Sequence, residues 1–121
     1  LKKCELNTKK EEFVSKIEIL FEIHERFVKS FLDIIILTHL NSPNRSVGGY
    51  DILKLVQKKF GLLLSAGSVY SLLYSMERDG LIRGIGRHKR VYNLTNIGEE
   101  KVKTVLLTKE KILNLIDQTF T

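Results

Sequence analysis

The 121-residue chain is poor in the residues that build several kinds of protein. It has one cysteine, Cys4, so no internal disulfide can form, and a lone thiol fits a reducing cytoplasm. It has no apolar run near the ~18 residues that a membrane helix needs. The longest candidate, residues 31–37, is interrupted by Asp33. The N-terminal stretch carries Glu5, Glu11 and Glu12 and lacks the pattern of a secretory signal, so a cytoplasmic protein with no membrane partner is expected. Nor is there a cluster of catalytic or metal-ligating residues. His24, His39 and His88 fall in different predicted elements, and no His, Cys, Asp and Glu spacing matches a metal site. Gly84 and Gly86 mark a turn without the strand-then-helix context of a phosphate loop. Neither enzyme activity, nor a cofactor, nor a metal is expected.

What is present is a soluble composition, 43% hydrophobic and 28% charged, of a length that supports one core. The formal net charge of +6 is unevenly placed. Residues 1–29 carry a net +1, residues 30–96 a net +5, and residues 97–121 balance. A basic middle segment attracts polyanions through counterion release.

Apolar periodicity near 3.6 predicts helices in most of the chain. Thr8 with Glu11 reads as a capping box opening a long amphipathic helix with Phe13, Ile17, Leu20, Phe21, Phe27, Val28 and Phe31 on one side. A kink is expected near Ser30, where Ser30 and Asp33 form a second cap-like pair, before helix resumes to Leu40. Pro43, beside Asn44, ends it. Residues 41–49 read as a loop. A helix over about residues 50–60 buries Ile52, Leu53, Val56 and Phe60 and stops at Gly61. The next helix starts at the Ser65 cap, faces its core with Val69, Leu72, Leu73 and Met76, and ends at Gly80. Two β-prone runs, about residues 81–85 and 90–94, flank a glycine-rich basic turn. Thr95 and Asn96 cap a last helix, with Glu99 three residues beyond Asn96 and an apolar stripe that includes Val105, Ile112, Ile116 and Phe120.

The residues 65–79 helix and the turn after it carry the functional expectation. If the helix turns Val69, Leu72, Leu73 and Met76 to the core, its outer face presents Ser68, Tyr70, Ser71, Tyr74, Ser75 and Arg78. Tyr70, Tyr74 and Arg78 recur every four residues and form one stripe, of a size that a ~12 Å major groove admits. Ser65 and Ser68 lie at the helix N-terminus, where free N–H groups favour a phosphate. Arg87, His88, Lys89 and Arg90 are four consecutive cation-capable residues at the hairpin tip, suited to a phosphate backbone or a minor groove. Packing of the tyrosine rings on a neighbouring element is the competing reading of Tyr70 and Tyr74. The fold expected is mainly α with a small β-hairpin, a winged helix-turn-helix between long terminal helices.

The ordered series Gly49-Tyr50-Asp51-Ile52-Leu53, Phe60-Gly61, Leu64-Ser65-Ala66-Gly67-Ser68-Val69-Tyr70, Leu73, Met76-Glu77-Arg78-Asp79-Gly80-Leu81-Ile82 and Val91-Tyr92-Asn93-Leu94-Thr95-x-x-Gly98-Glu99 resembles the PadR-like winged-helix transcriptional regulators. The resemblance covers about residues 31–100. It implies a homodimer on a pseudo-palindromic operator, usually acting as a repressor, with the residues 65–78 helix in the major groove and the residues 87–90 wing on the backbone. It also implies dimerisation through the C-terminal helix.

Three segments follow: an N-terminal helical extension at 1–29, a DNA-binding domain at 30–96 and a dimerisation helix at 97–121. The stripe of Phe13, Ile17, Leu20 and Phe27 and that of Val105, Ile112, Ile116 and Phe120 exceed what one small domain covers, which points to a two-fold dimer. Two other readings stay open at this point: an adaptor whose hairpin binds an acidic protein, and a sequence-indifferent chromatin-type DNA binder. A small-molecule effector is left unspecified.

Overall fold

The structure, a computed structural model, describes residues 2–42 and 46–121, with side chains described from Thr8 onward. The expected proline turn at Pro43 and Asn44, and the side chain of Cys4, lie outside the described residues. The described residues run α1 (Lys2–Ser30), α2 (Leu32–Leu40), β1 (Val47–Gly48), α3 (Gly49–Phe60), α4 (Ala66–Arg78), β2 (Ile82–Ile85), β3 (Val91–Leu94), α5 (Asn96–Leu107) and α6 (Lys109–Thr119). They fall into two compact units, residues 1–32 and residues 33–121.

In the first unit α1 is already helical at Lys2, so the expected start at a Thr8 cap is corrected. Thr8 sits inside the helix, because the residues before it continue the helical ladder and a capping signal acts only where the ladder begins. Phe13, Ile17, Leu20 and Phe27 are all exposed, and so are Val14, Ile19, Phe21 and Ile23. The Phe27 and Phe31 rings lie 4.7 Å apart, tilted at 45°. The break anticipated near Ser30 falls at Phe31, whose N–H still donates to the Phe27 carbonyl at 3.0 Å.

The second unit is built around one core. Ile36, Leu37 and Leu40 of α2, Ile52 and Val56 of α3, Val69, Leu73 and Met76 of α4, Ile82 and Tyr92 of the sheet and Val102 of α5 are buried. α3 opens on Gly48, whose N–H donates to Asp51 Oδ2 at 2.9 Å. It closes on Gly61 in the left-handed region, φ 67°, where a side chain would be strained. Residues 61–65 then turn the chain into α4, with Leu62 buried in the turn. This pair is the helix-turn-helix.

The sheet has three strands rather than the expected two, in the order β1-β3-β2, all antiparallel. Val47 faces Tyr92 and Gly48 faces Val91 across β1 and β3, and Ser46 Oγ donates to Asn93 Oδ1 at 2.6 Å beside them. β1 corrects the expectation of plain loop there. Two residues form a strand here because β3 offers an unpaired edge, a non-local cause. The last helix is divided at Thr108. Its hydroxyl donates to the Thr104 carbonyl at 2.8 Å, a back-bond that bends helices. The main-chain ladder nevertheless crosses the bend, from Thr108 N to Thr104 O and from Ile112 N to Thr108 O, each 3.0 Å.

α5 is capped by Thr95 rather than Asn96. Thr95 Oγ1 accepts from Gly98 N at 3.1 Å and faces the carbonyls of Gly80 at 2.6 Å and Leu81 at 3.0 Å. One hydroxyl thus joins the end of α4, the start of β2 and the start of α5. Thr95→Val should cost about 1–2 kcal/mol in urea unfolding, whereas Thr95→Ser should stay near wild type.

Candidate nucleic-acid interface

Burial of Val69, Leu73 and Met76 turns the other side of α4 outward by helical geometry. Ser68, Tyr70, Ser71, Tyr74 and Arg78 are exposed there, and Ser75 is half-buried. Ser65 is the N-cap. Its Oγ accepts from Ser68 N at 3.2 Å and donates to Ser68 Oγ at 2.7 Å. The cap therefore engages the side chains of both Ser65 and Ser68. Tyr74 is the more open of the two tyrosines, 68% against 48% for Tyr70. The Tyr70 ring packs on the backbone of Gly49, where a Cβ would lie 2.7 Å from its Cζ. So Tyr70 combines the two readings of a ring at this position, one side packed and the rest exposed. Arg78 Nε is 3.9 Å from Asp79 Oδ1 with both side chains largely exposed, a weak pairing that leaves the guanidinium available.

The wing is the β2–β3 hairpin. Arg87, His88 and Lys89 are exposed at its tip, and no ion pair among the described residues involves them. Arg90 is exposed as well but has partners. Expected as the fourth cation of the tip, it forms an ion pair through Nη2 with Glu77 Oε1 of α4, and its Nη1 donates to the Gly86 carbonyl at 2.9 Å. The hydrogen bond to Glu77 is the main reason that its pKa is raised above the ordinary guanidinium value. Arg83, on the adjoining strand, belongs elsewhere. It lines a separate concavity with Gly80, Asn93, Asn96 and Ile97.

Tyr50, Asp51, Tyr70, Arg87, His88, Lys89 and Arg90 line one groove of about 590 Å³ between the start of α3 and the wing. Tyr50 was not among the site residues expected from sequence. It stands at the first turn of α3, 64% exposed, with Lys54 Nζ 4.5 Å from its ring centre. The adjacent Gly48-Gly49 pair was its only local signal. Among the described residues no group of His, Cys, Asp and Glu could hold a metal ion, and no helix is long and apolar enough to cross a membrane.

The profile of the "Transcriptional regulator PadR-like family" matches residues 36–104, more than half of the chain and all of the helix-turn-helix and wing. The chain belongs to the PadR-like family. A PadR-like regulator from Bacillus cereus superposes with a TM-score of 0.65 at 22% identity, covering 79% of this chain and 97% of that one. A PadR family regulator from Clostridium difficile gives 0.64 at 26% identity, over 75% and 99%. Bacillus subtilis PadR, solved in complex with operator DNA, gives 0.51 at 23% identity, over 62% and 45%. No curated protein matches significantly. The PadR-like match takes in α3, α4, β2 and β3, and leaves α1 and α6 outside it.

Proposed function

We propose that this PadR-like regulator is a homodimeric repressor that reads duplex DNA with α4 in the major groove and with Arg87, His88 and Lys89 on the backbone or in the minor groove. The carrying observation is the shared groove, in which a tyrosine of the recognition helix and four cation-capable wing residues, Arg90 among them, line one surface. A phosphate backbone following that groove would meet hydroxyls and positive charge together. The operator complex of the Bacillus subtilis relative supports the same partner. In this reading residues 30–96 bind DNA, while residues 1–29 and 97–121 carry dimerisation through the exposed apolar faces of α1 and α6.

Fluorescence anisotropy on a labelled duplex, titrated with salt, tests it. Affinity should fall steeply between low and physiological salt, with a log–log slope of about −0.9 for each phosphate neutralised. Arg87→Ala and Lys89→Ala should each weaken binding to every sequence and reduce that slope by about 1. Tyr74→Ala should change the preference among sequences. Failure to bind any duplex below roughly 10 μM at low salt would overturn the reading in favour of an acidic protein partner.

A further inference from the structure

Arg90 is held in a seat made by three elements. Glu77 Oε1 accepts from Arg90 Nη2 and also from the N–H of Gly84 at 3.2 Å. The other arm of the fork, Nη1, closes on the Gly86 carbonyl. The guanidinium carbon lies 5.9 Å from the Tyr92 ring centre. Gly84 is the floor of the seat, since an ideal Cβ there would fall 2.7 Å from Arg90 Cζ and 2.8 Å from Nη2. One carboxylate of the recognition helix therefore binds the backbone of β2 and a side chain at the start of β3. A planar five-donor guanidinium suits such a three-way joint; a lysine does not.

We propose that Arg90 is a positioning residue and not a phosphate ligand: Glu77, Gly84 and Arg90 form a latch that fixes the base of the wing to α4, so that the wing tip and the helix face meet the duplex together. The proposal rests on the DNA-binding reading above. Its charge balance differs from that of the tip. Glu77 offsets the charge of Arg90, so the unpaired positive charge at the wing tip is that of Arg87 and Lys89. The seat engages both Nη atoms of the guanidinium, so its orientation is set by Glu77 and the Gly86 carbonyl.

The latch and a phosphate-ligand role for Arg90 make opposite predictions. Glu77→Gln removes a negative charge beside the DNA surface, so electrostatics alone would tighten binding. The latch predicts instead a loss of about five- to tenfold. Gly84→Ala keeps every charge and evicts the guanidinium from its floor. A freed arginine would strengthen binding, while a broken latch weakens it. Arg90→Ala should weaken binding with the salt slope unchanged, where loss of a phosphate contact would reduce it by about 1. The Glu77→Gln, Arg90→Ala double variant should be no weaker than the worse single variant, since both break one joint.

A second readout needs no DNA. Amide hydrogen exchange at residues 84–92 of the free 121-residue chain should speed up in all three single variants. The near-isosteric Glu77→Gln guards against loss of folding as the cause, with thermal melting as the check. Tighter binding by Glu77→Gln and Gly84→Ala, with a reduced slope in Arg90→Ala, would overturn the latch and make Arg90 a DNA contact. Unchanged wing exchange would also overturn it. A wild-type chain that binds no duplex would instead remove the DNA-binding reading, and the exchange measurement would still decide the latch.

Discussion

Gly98→Ala is expected to destabilise the winged unit by about 2–4 kcal/mol, read as a lower urea midpoint at unchanged slope. A methyl group at Gly98 would fall on the Leu81 carbonyl oxygen and 3.1 Å from Leu94 Cδ2. The obstacle is main chain and not the end of a flexible side chain. The same carbonyl receives the Thr95 N–H at 3.1 Å, and the Leu81 N–H is itself bonded to the Met76 carbonyl at 3.0 Å. Moving Leu81 aside would loosen both bonds and the Thr95 cap. Alanine gains helix propensity over glycine by about 1 kcal/mol, which this clash outweighs. Gly67→Ala isolates that gain. Gly67 lies in the first turn of α4 with nothing within 4 Å of its would-be Cβ, and alanine there should stabilise by up to about 1 kcal/mol. Equal stability of Gly98→Ala and wild type would show that α5 does not dock flush on the β2 start.

The features that sequence made legible are those with local causes. The α4 start was readable because Ser65 caps within three residues, at Ser68 N. Its buried face was readable because Val69, Leu73 and Met76 keep helical spacing. The hairpin was readable from two β-prone runs around a glycine-rich turn. What sequence left unread has distant causes. β1 exists only through pairing with β3, more than forty residues on. The Tyr70 ring is shaped by Gly49, in the preceding helix. Arg87, His88, Lys89 and Arg90 look equivalent in a row of letters. Arg90 differs because Glu77, thirteen residues back, is carried to it by the end of α4 and the turn into β2. Thr8 shows the reverse case, a correct local motif overridden by the helix around it.

The largest effect on DNA affinity is expected from Phe13→Asp combined with Leu20→Asp. These residues are seven apart, two turns of α1, so they share a face with Ile17 between them. They are 64% and 68% exposed, an apolar stripe of the kind that marks an association surface. The C-terminal segment repeats the pattern, with Phe120 at 70% just past α6 and Ile112 of α6 at 38%, beside the half-buried Val105 of α5 and Ile116 of α6. In the proposed dimer a second copy would cover these faces by two-fold symmetry. Aspartates at exposed positions should cost the monomer fold little, but two copies of each would be buried and opposed in a dimer. Sedimentation should then show a monomer. Affinity for a two-half-site duplex should fall by about 100-fold or more, because the second recognition helix is no longer delivered at high effective concentration. Binding to a single half-site should be nearly unchanged, which separates loss of pairing from loss of the DNA face. A wild-type chain that sediments as a monomer at micromolar concentration, or a double variant that still reads two half-sites at full strength, would refute dimerisation through α1.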